Sequence, residues 1–472
     1  MSRIAIIGGG YVGLVSAACF ARLGHDVTCI EIEEGKLKAL RRDRLPIREP
    51  ALTDLWTRYR QEGRLRVTSD YREALRDVEF VFLAVGTPPR AGGAADLRQV
   101  LTATVSLAKN LSGRTSPTVV VKSTVPLGTA ELVSKILQEQ RPRNTPPVVS
   151  NPEFLREGQA VFDFLRPSRT VIGAFQREAG EAVAELYRPL RRPVIFCSPR
   201  TAEMVKYASN AFLCTKVSFM NEIASLCEEA GVDVVDVGEA LGLDNRIGHS
   251  YLGAGLGWGG SCLPKDVEAL IWTASKLGVP TPMLRSAVRI NRRQPRLAVS
   301  KLQSLVGSLE GATVAVWGLA FKPNSDDVRE SPALALVRLL LDEGCAVRAF
   351  DPLAMEAASL HFPEVTYCGD VYEAATGADA IVVATDWADF EEVDLAALRE
   401  RVAKPVIVDA RNALDAKRVA DAGFAYTGIG RPTQSNKVTS NGRREVPLPP
   451  HGRKRKAAAK DASELATFVS RE

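Results

Sequence analysis

At 472 residues, with 46% apolar and 25% charged side chains, the chain has room for two or three domains and the make-up of an ordinary soluble globular protein. The eight cysteines (19, 29, 197, 214, 227, 262, 345 and 368) form no CxxC pair and no His/Cys cluster, which excludes a disulfide or zinc framework; no metal is expected. The net charge of +5 sits in the tail, where residues 433–472 hold nine Lys/Arg against four Asp/Glu while the body balances at 52 of each.

Residues 4–7 read as a short apolar strand, reached directly from Met1 without a signal-peptide core. No apolar run is long enough to span a bilayer, so a cytoplasmic protein with no membrane partner is expected. Gly8, Gly10 and Gly13 then set out G-x-G-x-x-G, with Tyr11 and Val12 inside it, ahead of a helical pattern that Gly24 ends. A second strand, residues 27–30, finishes at Glu31. Strand, glycine turn, helix, strand and acid together predict dinucleotide binding, with helix N–H groups on the phosphates and Glu31 on the ribose hydroxyls. A carboxylate there would repel a 2′-phosphate and so favours NAD over NADP.

Further apolar runs at 80–85, 118–121 and 147–150 predict a parallel sheet covered on both faces. Each ends in a small polar loop: Gly86-Thr87-Pro88-Pro89, Ser123-Thr124-Val125-Pro126, and Asn151-Pro152-Glu153. Ligands of such sheets lie beyond the carboxyl ends of the strands, so the three loops are expected to line one crevice. A last strand is expected near 194–196.

From about 201 to 229 the pattern becomes one long helix, apolar nearly all round. Lys206 and Asn210 lie four apart on it, hence on one face. Taken alone, Lys206 reads as a snorkelling edge residue before it reads as a charge turned towards a site. A second long helix is expected over roughly 281–308.

Between them stands the richest stretch of the chain, residues 253–266. Five glycines within eight residues, Gly253, Gly255, Gly257, Gly259 and Gly260, lead into Cys262, Pro264, Lys265 and Asp266. Glycines cost backbone entropy and bury no side chain, so this run predicts bare main chain closing on a ligand. Pro264 and the acids after it mark a helix start. Cys262 is then expected at a helix N-terminus beside Lys265, where both positive charges favour thiolate, with Asp266 on the same face.

The chain starts over as α/β with strands at 313–318, 347–351, 380–384 and 406–409. Lacking a full glycine fingerprint, this second doubly wound domain is not read as a second NAD site. Its first loop, residues 321–332, carries Lys322 and Arg329, cations able to meet a phosphate, and ends in a Ser-Pro helix start. Past Pro432 the chain loses apolar periodicity and is expected to be disordered. Its Arg453–Lys456 basic run reads as a solvated tail, and no nucleic-acid partner is expected.

Assembled, these motifs make the chain closely similar to the UDP-glucose/GDP-mannose dehydrogenase family over residues 1 to about 431. The resemblance rests on GGGYVG at 8–13, GTPP at 86–89, KSTVPLGT at 122–129, NPEFLREG at 151–158, K-x-x-x-N at 206–210, GWGGSCLPKD at 257–266 and FKPNSDDVRESP at 321–332. It implies an NAD-binding Rossmann domain (1–197), a central helical dimerisation region with the cysteine loop (198–308), a Rossmann-like UDP-sugar domain (309–432) and a basic tail (433–472).

The resemblance also implies a reaction: four-electron oxidation of a sugar-nucleotide alcohol to a carboxylate with two NAD, UDP-glucose to UDP-glucuronate first, UDP-N-acetylhexosamine or GDP-mannose as the alternative. Cys262 matches the nucleophile that forms a thiohemiacetal and then a thioester. Lys206, Asn210 and Asp266 match residues around the C6 oxygen and the catalytic water. Glu153 matches the acid/base of thioester hydrolysis, with Thr124 positioning water. For NAD the match reaches Gly8, Gly10, Tyr11, Val12, Gly13, Glu31, Lys36, Thr87, Thr124, Glu157, Lys265 and Arg329. For the sugar nucleotide it reaches Glu153, Phe154, Leu155, Glu157, Lys206, Asn210, Tyr251, Gly253, Gly255, Gly257, Gly259, Phe321, Lys322 and Arg411. Arg246 matches an arginine that enters the neighbouring subunit's site, implying a homodimer. Two departures are small: Glu31 stands where aspartate is common, and Ser325 where threonine is usual.

Overall fold

The computed structural model describes residues 1–112 and 116–433. Apart from Thr433, the expected basic tail lies outside the described residues. The chain forms two compact units that divide after Tyr207, within the long Pro199–Ala230 helix.

The first unit is built on eight strands: β1 (Arg3–Ile7), β2 (Asp26–Ile30), β3 (Leu65–Thr68), β4 (Phe80–Leu83), β5 (Thr118–Val121), β6 (Val148–Ser150), β7 (Thr170–Ala174) and β8 (Val194–Cys197). Their order is β3-β2-β1-β4-β5-β6-β7-β8, the doubly wound arrangement with its topological switch between β1 and β4. Alternation along β1 shows why the strands are apolar throughout: Ile4 and Ile6 enter one core, Ala5 and Ile7 the other. The expectation of an all-parallel sheet needs one correction, because β7 runs antiparallel to β6. β3 and β7 are strands beyond those that the apolar runs predict.

The second unit carries β9 (Thr313–Trp317), β10 (Ala346–Phe350), β11 (Thr366–Tyr367), β12 (Ala380–Val383), β13 (Val406–Asp409) and β14 (Ala425–Gly428), all parallel, in the order β11-β10-β9-β12-β13-β14. Val314 and Val316 pack on one face with Met220, Ala224, Ala298 and Leu302 of the long helices; Ala315 and Trp317 pack on the other. The helices Pro199–Ala230 (from Ala208 on) and Pro282–Val306 are therefore built into the core of the second sheet. Burying each valine, leucine or methionine among these contributes about 1.5–3 kcal/mol. Among the described residues no helix is long and apolar enough to cross a membrane.

Asp351, at the end of β10, occupies the place of a ribose-binding acid. Its buried carboxylate instead accepts hydrogen bonds from the Leu319, Ala320, Leu353 and Ala354 N–H groups and from Trp387 Nε1. That acid holds the fold's own turns together.

Candidate active site

In the first unit, three residues of the glycine fingerprint have separate jobs. Gly8, at φ +115°, makes the turn, and a Cβ there would lie 2.6 Å from the Ala84 carbonyl oxygen. A Cβ on Gly13 would strike the Gly8 carbonyl at 1.9 Å, so Gly13 lets helix and strand close together. Gly10 has nothing within 4 Å of its Cβ position, an open approach at the N-terminus of the Tyr11–Arg22 helix. An open helix N-terminus of this kind has room for an anionic group.

Glu31 follows β2, and its carboxylate accepts from Gly9 N–H at 3.1 Å and Glu33 N–H at 2.8 Å. Lys36 is ion-paired with Glu33 at 2.6 Å, which raises its affinity for its proton. The Tyr11 hydroxyl donates to Glu49 and accepts from Gly158 N–H. Glu49 also accepts from Gly158 and Ala160 N–H, so it ties the fingerprint to the end of the 151–158 segment. Glu49 lies in none of the sequence motifs.

The three strand-end loops meet as expected. Thr87 Oγ1 donates to the Thr124 carbonyl at 2.7 Å, and Lys122 donates to Asn151 Oδ1 at 3.0 Å. Glu153 is buried in the third loop. One oxygen accepts from Leu155 N–H; the other is 3.0 Å from Lys206 Nζ, with both side chains about 5% exposed. Burial pushes the Glu153 carboxyl up, but Lys206, the Leu155 N–H and Lys122 together bring it below the usual range. Lys206 is thus no snorkelling residue: its ammonium is turned inward and paired. The Phe154 ring lies beside it, 5.4 Å from Lys206 Nζ and 3.8 Å from the Arg169 guanidinium. Glu157 is half-buried at the mouth of this segment.

A further carboxylate went unnoticed in the sequence. Glu203, one turn before Lys206, accepts from Gly128 and Ala130 N–H at 2.7 and 2.8 Å. It fastens the end of the loop that carries Thr124 to the helix that carries Lys206.

In the second unit, Cys262 is the N-cap of the Leu263–Lys276 helix, with Pro264 in its first turn. Of the eight cysteines it alone is exposed; burial drives thiols such as Cys19 and Cys214 well above their ordinary range. Asp266 N–H donates to the Cys262 carbonyl, so the two residues share a helix face. The Asp266 carboxylate is fully buried between Asn210 Nδ2, at 2.6 Å, and Lys265 Nζ, at 2.5 Å.

The glycine run is held from three sides. Asn221 accepts from Gly255 N–H, Asn291 brackets Trp258 through both its N–H and its carbonyl, and Arg411 donates to the carbonyls of Gly257, Phe321 and Ala384. Arg411 therefore organises this loop. The prediction of a run bared for a ligand needs correcting. A Cβ on Gly259 would meet the Glu330 carbonyl at 2.2 Å and one on Gly255 the Ala410 carbonyl at 2.8 Å, so these glycines serve packing. Gly253 alone of the five faces open space.

Tyr251 sits at φ +65° before this run. Phe321 packs against Gly260, with Lys322 Nζ 5.4 Å from its ring. Arg329 is exposed and forks onto Asp327 at 2.7–2.8 Å; Arg246 is exposed and grips Asp244. Among the described residues no three His, Cys, Asp or Glu side chains gather as a metal site.

Residues 2–191 match the NAD-binding domain of the UDP-glucose/GDP-mannose dehydrogenase family, 200–293 its central domain and 315–416 its UDP-binding domain. The chain is 46% identical to UDP-glucose 6-dehydrogenase of Rhizobium meliloti over 437 residues, covering 91% of this chain and all of that one. Against UDP-glucose 6-dehydrogenase of Pseudomonas aeruginosa it is 46% identical over 444 residues, 91% of this chain and 98% of the other. A solved UDP-glucose dehydrogenase of Pyrobaculum islandicum superposes with a TM-score of 0.86 at 41% identity, covering 91% and 98% of the two chains. The chain belongs to the UDP-glucose/GDP-mannose dehydrogenase family.

Proposed function

We propose that this protein oxidises UDP-glucose to UDP-glucuronate with two NAD per turnover, through a thioester on Cys262. The substrate follows from its 46% identity to UDP-glucose 6-dehydrogenases over nine-tenths of the chain. The observation that carries the mechanism is Cys262 itself, exposed at the positive end of a 14-residue helix while the other cysteines lie in the fold.

Gly10 and the helix it opens would hold the NAD diphosphate, and Glu31 the adenosine ribose. Bound NAD supplies the hydride acceptor for each two-electron step. Lys206 donates to the C6 oxygen and stabilises its charge as the alcohol loses a proton and becomes an aldehyde. The Cys262 thiolate adds to that aldehyde, forming a C–S bond, and the thiohemiacetal loses the second hydride to give a thioester. Holding the aldehyde covalently prevents its escape between the two oxidations. Asp266, fixed by Asn210 and Lys265, accepts protons from the reacting oxygen. Glu153 activates the water, placed with the help of Thr124, that cleaves the C–S bond and releases carboxylate and thiol.

A homodimer fits the exposed apolar stripe on the Pro199–Ala230 helix. Phe212, Phe219 and Leu226 recur every seventh residue at 64%, 50% and 63% exposure. Such a seam asks for a second copy of the chain, and exposed Arg246 is then the residue offered to the neighbouring site. A cytoplasmic location fits a nucleotide-sugar substrate and cysteines that form no disulfide among the described residues.

The test is product stoichiometry on UDP-glucose, UDP-N-acetylglucosamine and GDP-mannose. Two NADH per UDP-glucose, with slow turnover of the other two, supports the proposal. Turnover of an N-acetylated sugar with UDP-glucose inert contradicts it.

A further inference from the structure

Beneath the 151–155 segment, a cavity of about 270 Å³ opens between Lys122, Glu153, Phe164, Arg169 and Tyr187. Lys122 follows β5 directly and is buried. Its ammonium donates to Asn151 Oδ1 at 3.0 Å and to the Tyr187 hydroxyl at 3.2 Å, while Tyr187 donates to the same Asn151 oxygen at 2.6 Å. Asn151 is pinned in turn by the Val171 carbonyl. All these partners are neutral. A buried ammonium without a carboxylate of its own is costly and is retained where its charge has a use.

We propose that Lys122 is a positioning residue that keeps Glu153 ionised and in place when Lys206 turns its charge onto the substrate. The inference rests on the reading of Glu153 as the base of thioester hydrolysis. Glu153 is paired with Lys206 at 3.0 Å, and during the oxidations that ammonium is drawn to the sugar oxygen. A buried carboxylate losing its partner takes up a proton and ceases to be a base. Lys122 supplies a second positive charge in the same buried cluster. With two ammonium groups to one carboxylate, the cluster carries one net positive charge, which complements the oxyanion formed in each step.

The charged and titratable groups facing Lys122 are few. Glu153 raises its proton affinity and Lys206 lowers it; burial dominates and brings the group down to about 8. Tyr187 is held neutral by burial, as is Cys19 behind it. Along the cavity wall Arg156 is paired with Asp163, and Arg166 and Arg169 add positive charge.

The experiment compares kcat against pH from 4 to 8.5 for wild type, Lys122→Met, Tyr187→Phe and Glu153→Gln, with intact-mass detection of the enzyme-bound acyl group. In Lys122→Met the acid limb is expected to move up by about one pH unit, with kcat falling up to about tenfold on the acid side of the limb and recovering above it. The acyl-enzyme then accumulates on the acid side of the limb. Tyr187→Phe, which removes one anchor of Lys122, shifts the limb in the same direction by less, and decides the question if the lysine variant does not fold. A merely structural lysine would lower kcat at every pH without moving the limb, and an unmoved limb overturns the inference. If Glu153→Gln accumulates no acyl-enzyme, the reading of Glu153 fails and the role of Lys122 falls with it; accumulation there beside an unmoved limb in Lys122→Met overturns the Lys122 inference alone.

Discussion

Lys206 and Glu153 form a buried ion pair, 3.0 Å apart, between the long helix and the loop after β6. Removing one partner leaves the other charged and dry, at a cost of about 3–5 kcal/mol. Lys206→Met should therefore lower the thermal midpoint, and as the loss of an oxyanion donor it should cut kcat on the order of 10²–10³-fold. Thermal scans and steady-state assays at pH 7.5 check both. A folded variant with near-normal kcat would remove Lys206 from the chemistry.

Two glycines of the cysteine loop should respond to the same substitution in opposite ways. Gly259→Ala places a methyl 2.2 Å from the Glu330 carbonyl oxygen and should destabilise by about 1–3 kcal/mol or more. Gly253→Ala meets no protein atom within 4 Å, so the fold should tolerate it while KM for the sugar nucleotide rises. Urea unfolding and KM, measured on both variants, separate the packing glycine from the one that faces open space.

Phe219→Asp puts a charge in the middle of the exposed apolar stripe on the Pro199–Ala230 helix. Sedimentation equilibrium should show the proposed dimer weakened at least tenfold, since a buried unpaired carboxylate costs more than the 1.4 kcal/mol that factor represents. A sedimentation profile unchanged from wild type would place the dimer contact elsewhere.

Lys122 makes a prediction about stability as well as rate. Its affinity for a proton falls from an ordinary value of 10.5 when unfolded to about 8 when folded. Between those values the unfolded chain binds the additional proton, so the stability contributed by this group rises with pH across that window. Measured against Lys122→Met, wild-type stability in urea should increase from pH 8 towards 10. A difference that does not change with pH would mean that Lys122 is not a buried cation.

Much of the fold was legible because its signals are local. The 8–13 fingerprint, the apolar strands and the Pro264 helix start depend on neighbouring residues, and each appears where the pattern put it. β3 was missed because Arg66 breaks a run of only four residues at a sheet edge, and β11 because it has two. The inward turn of Lys206 was obscured because its partner lies 53 positions earlier in the chain. For the same reason the clasp of Glu203 on Gly128 and that of Glu49 on Gly158 were invisible: each joins segments that only the fold brings together. Lys122 did leave a signal. A lysine set directly after four fully buried strand residues has little room to reach water.

The most direct test of the account is NADH formed per UDP-glucose consumed, for wild type and Cys262→Ser, with mass spectrometry of the protein after mixing. The account predicts two NADH for the wild type, and for the serine variant a stall, either with substrate bound or as a sugar-linked ester. Two NADH from Cys262→Ser at an undiminished rate would contradict it, because Cys262 would then not be the nucleophile.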